Sequence, residues 1–76
     1  MKTKSRQNFL GIDAHTAIGL RTLVHKLNKI GFAYNAGAYR ECPEYSQIHI
    51  ETDLSIEQLE QWLDSKKIDY VGVFQA

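Results

Sequence analysis

The sequence predicts an α+β fold with the element order β-α-β-β-α-β. Two segments carry apolar residues at helical spacing, four shorter segments are typical of strands, and they alternate in that order. Two split β-α-β units of this kind usually form the ferredoxin-like arrangement, a four-stranded antiparallel sheet with both helices on one face. We therefore expect residues 1–76 to form a single domain with this fold.

The first strand is predicted over Asn8–Ile12. Without it the chain would be an α-β-β-α-β domain. In either case residues 1–7 are expected to form a flexible basic arm, since they contain Lys2, Lys4 and Arg6.

The first helix is predicted from about Thr16 to Ile30, and Gly31 follows where a left-handed residue closes a helix. One apolar stripe supports it: Ala17, Leu20, Leu23, Val24, Leu27 and Ile30. Ile18 falls opposite this stripe, so either the helix begins later or Ile18 touches something outside this face.

The second helix is predicted to begin after Ser55. Ser55 and Gln58 have the spacing of a capping box, and Leu54 and Leu59 that of the accompanying hydrophobic staple. Its buried stripe would be Ile56, Leu59 and Leu63, with Trp62 at the edge.

The other strands are predicted over Phe32–Tyr39, Ser46–Glu51 and Tyr70–Phe74, with a loop around Pro43 in residues 41–44. Alternation assigns one set of side chains to the inner face: Leu10, Ile12, Ile48, Ile50, Val71 and Val73. It assigns another set to the open face: Phe9, Gln47, His49, Tyr70 and Phe74, with Tyr34 or Tyr39.

The formal net charge of zero conceals a segregation. Residues 1–40 hold seven bases and one acid, a net charge of +6, whereas residues 41–76 hold two bases and eight acids, a net charge of −6. Two helical stripes carry part of this split: a basic stripe of Arg21, His25 and Lys29, and an acidic stripe of Glu57, Glu60 and Asp64. The stripes either pair across the two helices or dock on a partner molecule.

Several classes of protein are excluded or disfavoured. The chain is too short for two ordinary domains or a typical enzyme fold, and it has no apolar run of about 18 residues that would cross a membrane. The single Cys42 cannot staple the fold, and no histidine has a partner at metal-ligand spacing. We predict a cytoplasmic, non-enzymatic protein without catalytic residues, metal or cofactor. Cys42 has no basic sequence neighbour to activate it, and its proximity to a histidine is not readable from sequence.

The favoured function is a small protein-interaction or regulatory module that binds another protein or a second copy of itself. Its candidate partner-binding residues lie on the open sheet face and the second helix: Phe9, His49, Tyr70, Phe74, Glu57, Glu60, Trp62 and Asp64. The first alternative is a single-stranded nucleic-acid-binding module that uses the aromatic sheet and Lys2, Lys4 and Arg6. The net charge of zero argues against this alternative, because nucleic-acid-binding proteins usually carry an excess of basic residues. The second alternative is a small-ligand regulatory domain at a dimer interface.

Overall fold

A computed structural model describes residues 8–31 and 36–76 of the chain. The elements follow in chain order: β1 (Asn8–Asp13), α1 (Ala17–Lys29), β2 (Ala36–Cys42), a 3₁₀ turn (Pro43–Tyr45), β3 (Gln47–Thr52), α2 (Ile56–Ser65) and β4 (Gly72–Gln75). The first strand is present, so the α-β-β-α-β alternative is wrong. The predicted basic arm, residues 1–7, lies outside the described residues.

The four strands form one sheet in the order β2-β3-β1-β4, and each neighbouring pair is antiparallel. β1 therefore lies inside the sheet, with β3 on one side and β4 on the other. The pairing of β2 with β3 contains a bulge between Ala36 and Tyr39. The architecture is a small α+β domain with an open four-stranded antiparallel sheet and two helices.

One buried cluster joins the sheet to both helices. Leu10 and Ile12 of β1 and Ile48 and Ile50 of β3 are at most 1% exposed, which confirms their predicted inward direction. The helices contribute to the same cluster through Leu20, Leu23, Val24 and Leu27 of α1 and Leu59 and Leu63 of α2. We call this side of the sheet the inner face, and the opposite side the outer face.

Each helix begins after a residue whose side chain caps it, and for α2 this residue is the predicted Ser55. The Thr16 hydroxyl accepts a hydrogen bond from the Gly19 N–H at 3.0 Å. In α2 the Gln58 N–H donates to Ser55 Oγ at 3.1 Å, and the Ser55 N–H donates to Gln58 Oε1 at 2.9 Å. This capping box satisfies two amides that the first helical turn leaves without partners.

The predicted bounds of β2 are displaced toward the C-terminus. β2 extends to Cys42 because Glu41 and Cys42 pair with Ile48 and Gln47 of β3. The reversal of the chain is confined to the 3₁₀ turn, and Ser46 follows it at a left-handed φ of 56°. The predicted loop over residues 41–44 is therefore wrong in its first half, and residues 32–35 are outside the described part.

The prediction that Val71 lies on the inner face is also wrong. Val71 precedes β4 and is 55% exposed, while its N–H donates to the Asp13 carbonyl at 2.8 Å. Val73 does pack against the buried cluster. Neither helix in the described ranges has the length and apolar character needed to cross a bilayer.

Candidate binding face of the sheet

The outer face carries a register of side chains that crosses all four strands. Arg40 of β2 pairs with His49 of β3, His49 pairs with Gly11 of β1, and Gly11 pairs with Phe74 of β4. Phe9, two residues before Gly11 on β1, points to the same side because side chains alternate along a strand. The predicted outer positions of Phe9, His49 and Phe74 agree with this register.

Phe9, His49 and Phe74 form what we call the aromatic row. The ring centroids of Phe9 and His49 are 5.9 Å apart, and those of His49 and Phe74 are 6.0 Å apart. Both pairs meet edge to face, at interplanar angles of 74° and 81°. Edge-to-face contacts of this kind hold aromatic rings in a defined orientation. His49, on the strand next to β1, thus joins the two phenylalanines.

Gly11 makes room for one end of the row. A Cβ placed on Gly11 would lie 2.2 Å from Cζ of Phe74, so the ring of Phe74 lies directly over the glycine. Any other residue at position 11 would displace that ring.

Polar contacts fix the ring of His49 on both sides. Its Nε2 lies 3.0 Å from Oε1 of Gln47, and its Nδ1 lies 3.8 Å from Sγ of Cys42. All three side chains are half-buried. The sequence analysis did not find the proximity of Cys42 to His49, because it depends on the register of β2 against β3.

The charges of the outer face are mixed. A depression of about 210 Å³ is lined by residues that include Phe9, Arg40, His49 and Glu51. Glu51 pairs with Phe9 across β1 and β3, and Asp13 lies farther along β1 on the same side. One guanidinium and two carboxylates therefore surround the aromatic row.

Tyr70 does not belong to this face, contrary to the sequence-based expectation. It precedes β4 and packs against the buried cluster. Its hydroxyl donates to Asp64 Oδ1 at 3.2 Å and lies 3.5 Å from the Glu60 carbonyl oxygen. Burial raises the pKa of Tyr70, and the charge of Asp64, its hydrogen bond and the charge of Glu60 raise it further. Tyr70 is thus a contact between the β4 side of the core and α2.

The remaining candidate residues lie on α2, on the inner side of the sheet. Glu57 and Asp64 are exposed, Glu60 is half-buried, and Trp62 packs partly against the core. Because α2 covers the inner face, its acidic stripe and the aromatic row are two separate surfaces. The structure therefore does not join all of the predicted partner-binding residues into one site.

Tyr39, one of the two tyrosines considered for the outer face, lines the depression there, but its side chain packs on the inner side. Tyr39 pairs with Ile50, packs against the buried cluster, and donates a hydrogen bond to Asn28 Oδ1 of α1 at 2.7 Å. Tyr34 lies outside the described residues, as do the bases of the nucleic-acid alternative, Lys2, Lys4 and Arg6.

No residue of the basic or acidic stripe forms an ion pair with another described residue. Over residues 8–31 and 36–76, the one contact of this kind joins His15 Nε2 and Asp69 Oδ1 at 3.8 Å, and it is an ion pair when His15 is protonated. Neither residue belongs to a stripe. Both interpretations of the stripes, pairing within the chain and docking on a partner molecule, therefore stay predictions.

The described residues contain no group of three or more His, Cys, Asp or Glu side chains placed to hold a metal ion. No family model, no curated protein and no solved structure significantly matches this chain.

Proposed function

We propose that this chain is a small, non-enzymatic protein-interaction module that binds a second copy of itself through the aromatic row. The observation that carries the proposal is the position of this row on the face of the sheet that neither helix covers. Phe9 is 40% exposed, and the half-buried rings of His49 and Phe74 lie beside it. Apolar patches on an otherwise polar surface usually mark an interface.

The charges around the row favour a protein partner over a nucleic acid. Among the described residues of this face, Asp13 and Glu51 accompany Arg40, so a phosphate backbone would meet two carboxylates and one guanidinium from them. Phosphate contacts supply most of the sequence-independent affinity for nucleic acids. β3 also reads Gln47-Ile48-His49-Ile50-Glu51-Thr52, without the aromatic and glycine signature of RNA-recognition strands.

Three properties of the chain favour a second copy as the partner protein. Its net charge is zero, so two copies do not repel each other as highly charged chains would. Within the described residues the basic and acidic stripes form no ion pair, so each copy offers a complement to the other. A domain of this size also has a small core and gains stability from association.

We further infer that the fold is ferredoxin-like. Two features support this: the β-α-β-β-α-β order of the elements, and the strand order, which reads β4-β1-β3-β2 from the other edge. In this arrangement the helices cover one face and leave the other face open to a partner.

The proposal is tested by the molar mass in solution, measured by light scattering over a concentration series. We expect the wild type to reach the mass of a dimer and Phe9→Ser to remain a monomer at the same concentrations. The matched control is Ile18→Ser, because Ile18 is large, apolar and 75% exposed, but lies on α1. This variant should dimerise like the wild type.

A wild type that stays monomeric at every concentration would overturn the proposal. So would equal loss of dimer in Phe9→Ser and Ile18→Ser. Added salt separates the two surfaces: a dimer held by the aromatic row should persist at high salt, whereas one held by the charged stripes should dissociate. A mobility shift of single-stranded RNA by the monomer would establish the nucleic-acid alternative instead.

The small-ligand alternative has one observation in its favour, the depression between Phe9 and Arg40. If the depression binds a small ligand, some metabolite should raise the melting temperature of the wild type but not that of Arg40→Ala, which lacks one residue of the depression. A screen of anionic metabolites without such a shift would remove it.

A further inference from the structure

Three polar side chains contact one another beside the 3₁₀ turn, where β2 ends and β3 begins: Cys42, His49 and Gln47. Cys42 and Gln47 are register partners on neighbouring strands, and His49 lies two residues along β3 on the same face. The imidazole lies between them, with Nδ1 3.8 Å from the thiol sulfur and Nε2 3.0 Å from the amide oxygen. Cys42 is a free, half-buried cysteine.

The amide oxygen sets the direction of the imidazole. Oε1 of Gln47 can only accept, so the hydrogen of the neutral ring lies on Nε2. Nδ1 is then unprotonated, and its lone pair faces the thiol. A thiol beside a nitrogen base that a third group orients is the general arrangement of an activated nucleophile.

We propose that Cys42 is a reactive thiol that forms mixed disulfides with small disulfide compounds, and that His49 takes up the thiol proton. The Cys42 thiolate attacks one sulfur of the compound and forms a new S–S bond, while the old S–S bond breaks. The second sulfur leaves with the electron pair as a thiolate and accepts a proton from His49 or solvent. No net oxidant beyond the disulfide is consumed.

The environment of the thiol favours a disulfide over an acyl substrate. Exchange requires a thiolate, an accessible sulfur and a leaving thiol. Acyl transfer requires in addition convergent donors for an oxyanion.

Arg40 lies two residues before Cys42 on the same face of β2, so its guanidinium favours a disulfide that carries carboxylates.

The test is the second-order rate constant of the native protein with 5,5′-dithiobis(2-nitrobenzoate), a dicarboxylate disulfide whose leaving thiolate is coloured. We expect His49→Gln to lower this rate constant by about 100-fold, the lower end of general-base effects. Gln47→Ala should lower it by about tenfold, because it keeps the base but frees the ring. The control His25→Gln makes the same substitution on α1 and should react like the wild type.

Two further measurements separate reactivity from loss of structure. Circular dichroism melting shows whether each variant is folded, and Gln47→Ala removes none of the three aromatic side chains. The wild type should react faster when native than when unfolded in urea. A native rate below the unfolded rate, or a His49→Gln rate equal to the wild-type rate, would overturn the proposal. Intact mass after incubation with oxidised glutathione should show one adduct, absent in Cys42→Ser.

Discussion

The ring of Phe74 lies over the backbone of Gly11, in the space where any other residue would carry its Cβ. The distance from that Cβ position to Phe74 Cζ would be 2.2 Å, well inside van der Waals contact. The same ring meets the edge of His49. One glycine in β1 therefore determines how an aromatic side chain of β4 joins the aromatic row.

Gly11→Ala should lower the free energy of unfolding by about 1–3 kcal/mol, because the ring of Phe74 must leave its place. Urea unfolding followed by fluorescence measures this. In a Phe74→Ala background the cost should be much smaller, since nothing then occupies the space. Gly72→Ala is the matched control, because a Cβ there meets nothing within 4 Å. Equal costs in both backgrounds would contradict the contact.

Ser55→Ala should destabilise the protein by about 1 kcal/mol, because it removes the acceptor for the Gln58 N–H at the start of α2. The midpoint of urea unfolding reports this loss. Ser65→Ala, at the other end of the same helix, should change stability by less than about 0.5 kcal/mol. An unmoved midpoint for Ser55→Ala would show that the capping box does not stabilise α2.

Thr52→Val should cost about 1 kcal/mol, because the part-buried Leu54 N–H loses its acceptor. Thr52 is 0% exposed, and its hydroxyl accepts from the Leu54 N–H at 3.1 Å. The measurement is again urea unfolding. Valine has the shape of threonine, so the comparison of Thr52→Val with the wild type isolates the hydroxyl, whereas Thr52→Ser keeps the hydroxyl and measures the loss of one buried methyl group. A more stable valine variant would contradict this role.

Tyr70 should ionise above its ordinary pKa of 10.0, since burial and Asp64 favour its neutral form. The native state then holds this proton more tightly than the unfolded state. The resulting stabilisation is complete below pH 10 and is lost as pH rises through the native pKa. Ultraviolet titration of the wild type against Tyr70→Phe assigns the transition.

Asp64→Asn should lower the pKa of Tyr70 toward 10.0, because it removes the charge that faces the hydroxyl. Glu57→Gln, which removes a charge from the same helix away from Tyr70, should leave the transition in place. A transition that Asp64→Asn does not move would show that burial and Glu60, without Asp64, raise this pKa.

The sequence was sufficient to predict those parts of the structure that depend on residues close together in the chain. The alternation of Ile48 and Ile50 predicted the inner face of β3, and the spacing of Ser55 and Gln58 predicted the start of α2. The start of β4 was predicted two residues too early, because Tyr70-Val71-Gly72-Val73-Phe74 alternates without a break and the pattern does not show that pairing begins at Gly72. Tyr70 is held instead by a hydrogen bond to Asp64, a tertiary contact.

The candidate site was also predictable only where it depends on alternation along single strands. Alternation placed Phe9, His49 and Phe74 on one face. It did not place Cys42 beside His49, because that contact requires β2 to continue past Tyr39 and pair in one particular register. Neither condition is visible in the residues around Pro43.

The bulge in β2 has a consequence for aggregation. β2 is an edge strand of seven residues, and a long edge strand offers its free N–H and C=O groups to further chains. The bulge distorts the first half of this edge, the charged Arg40 and Glu41 follow, and Pro43 ends it. These three features discourage the stacking of β2 edges into fibrils.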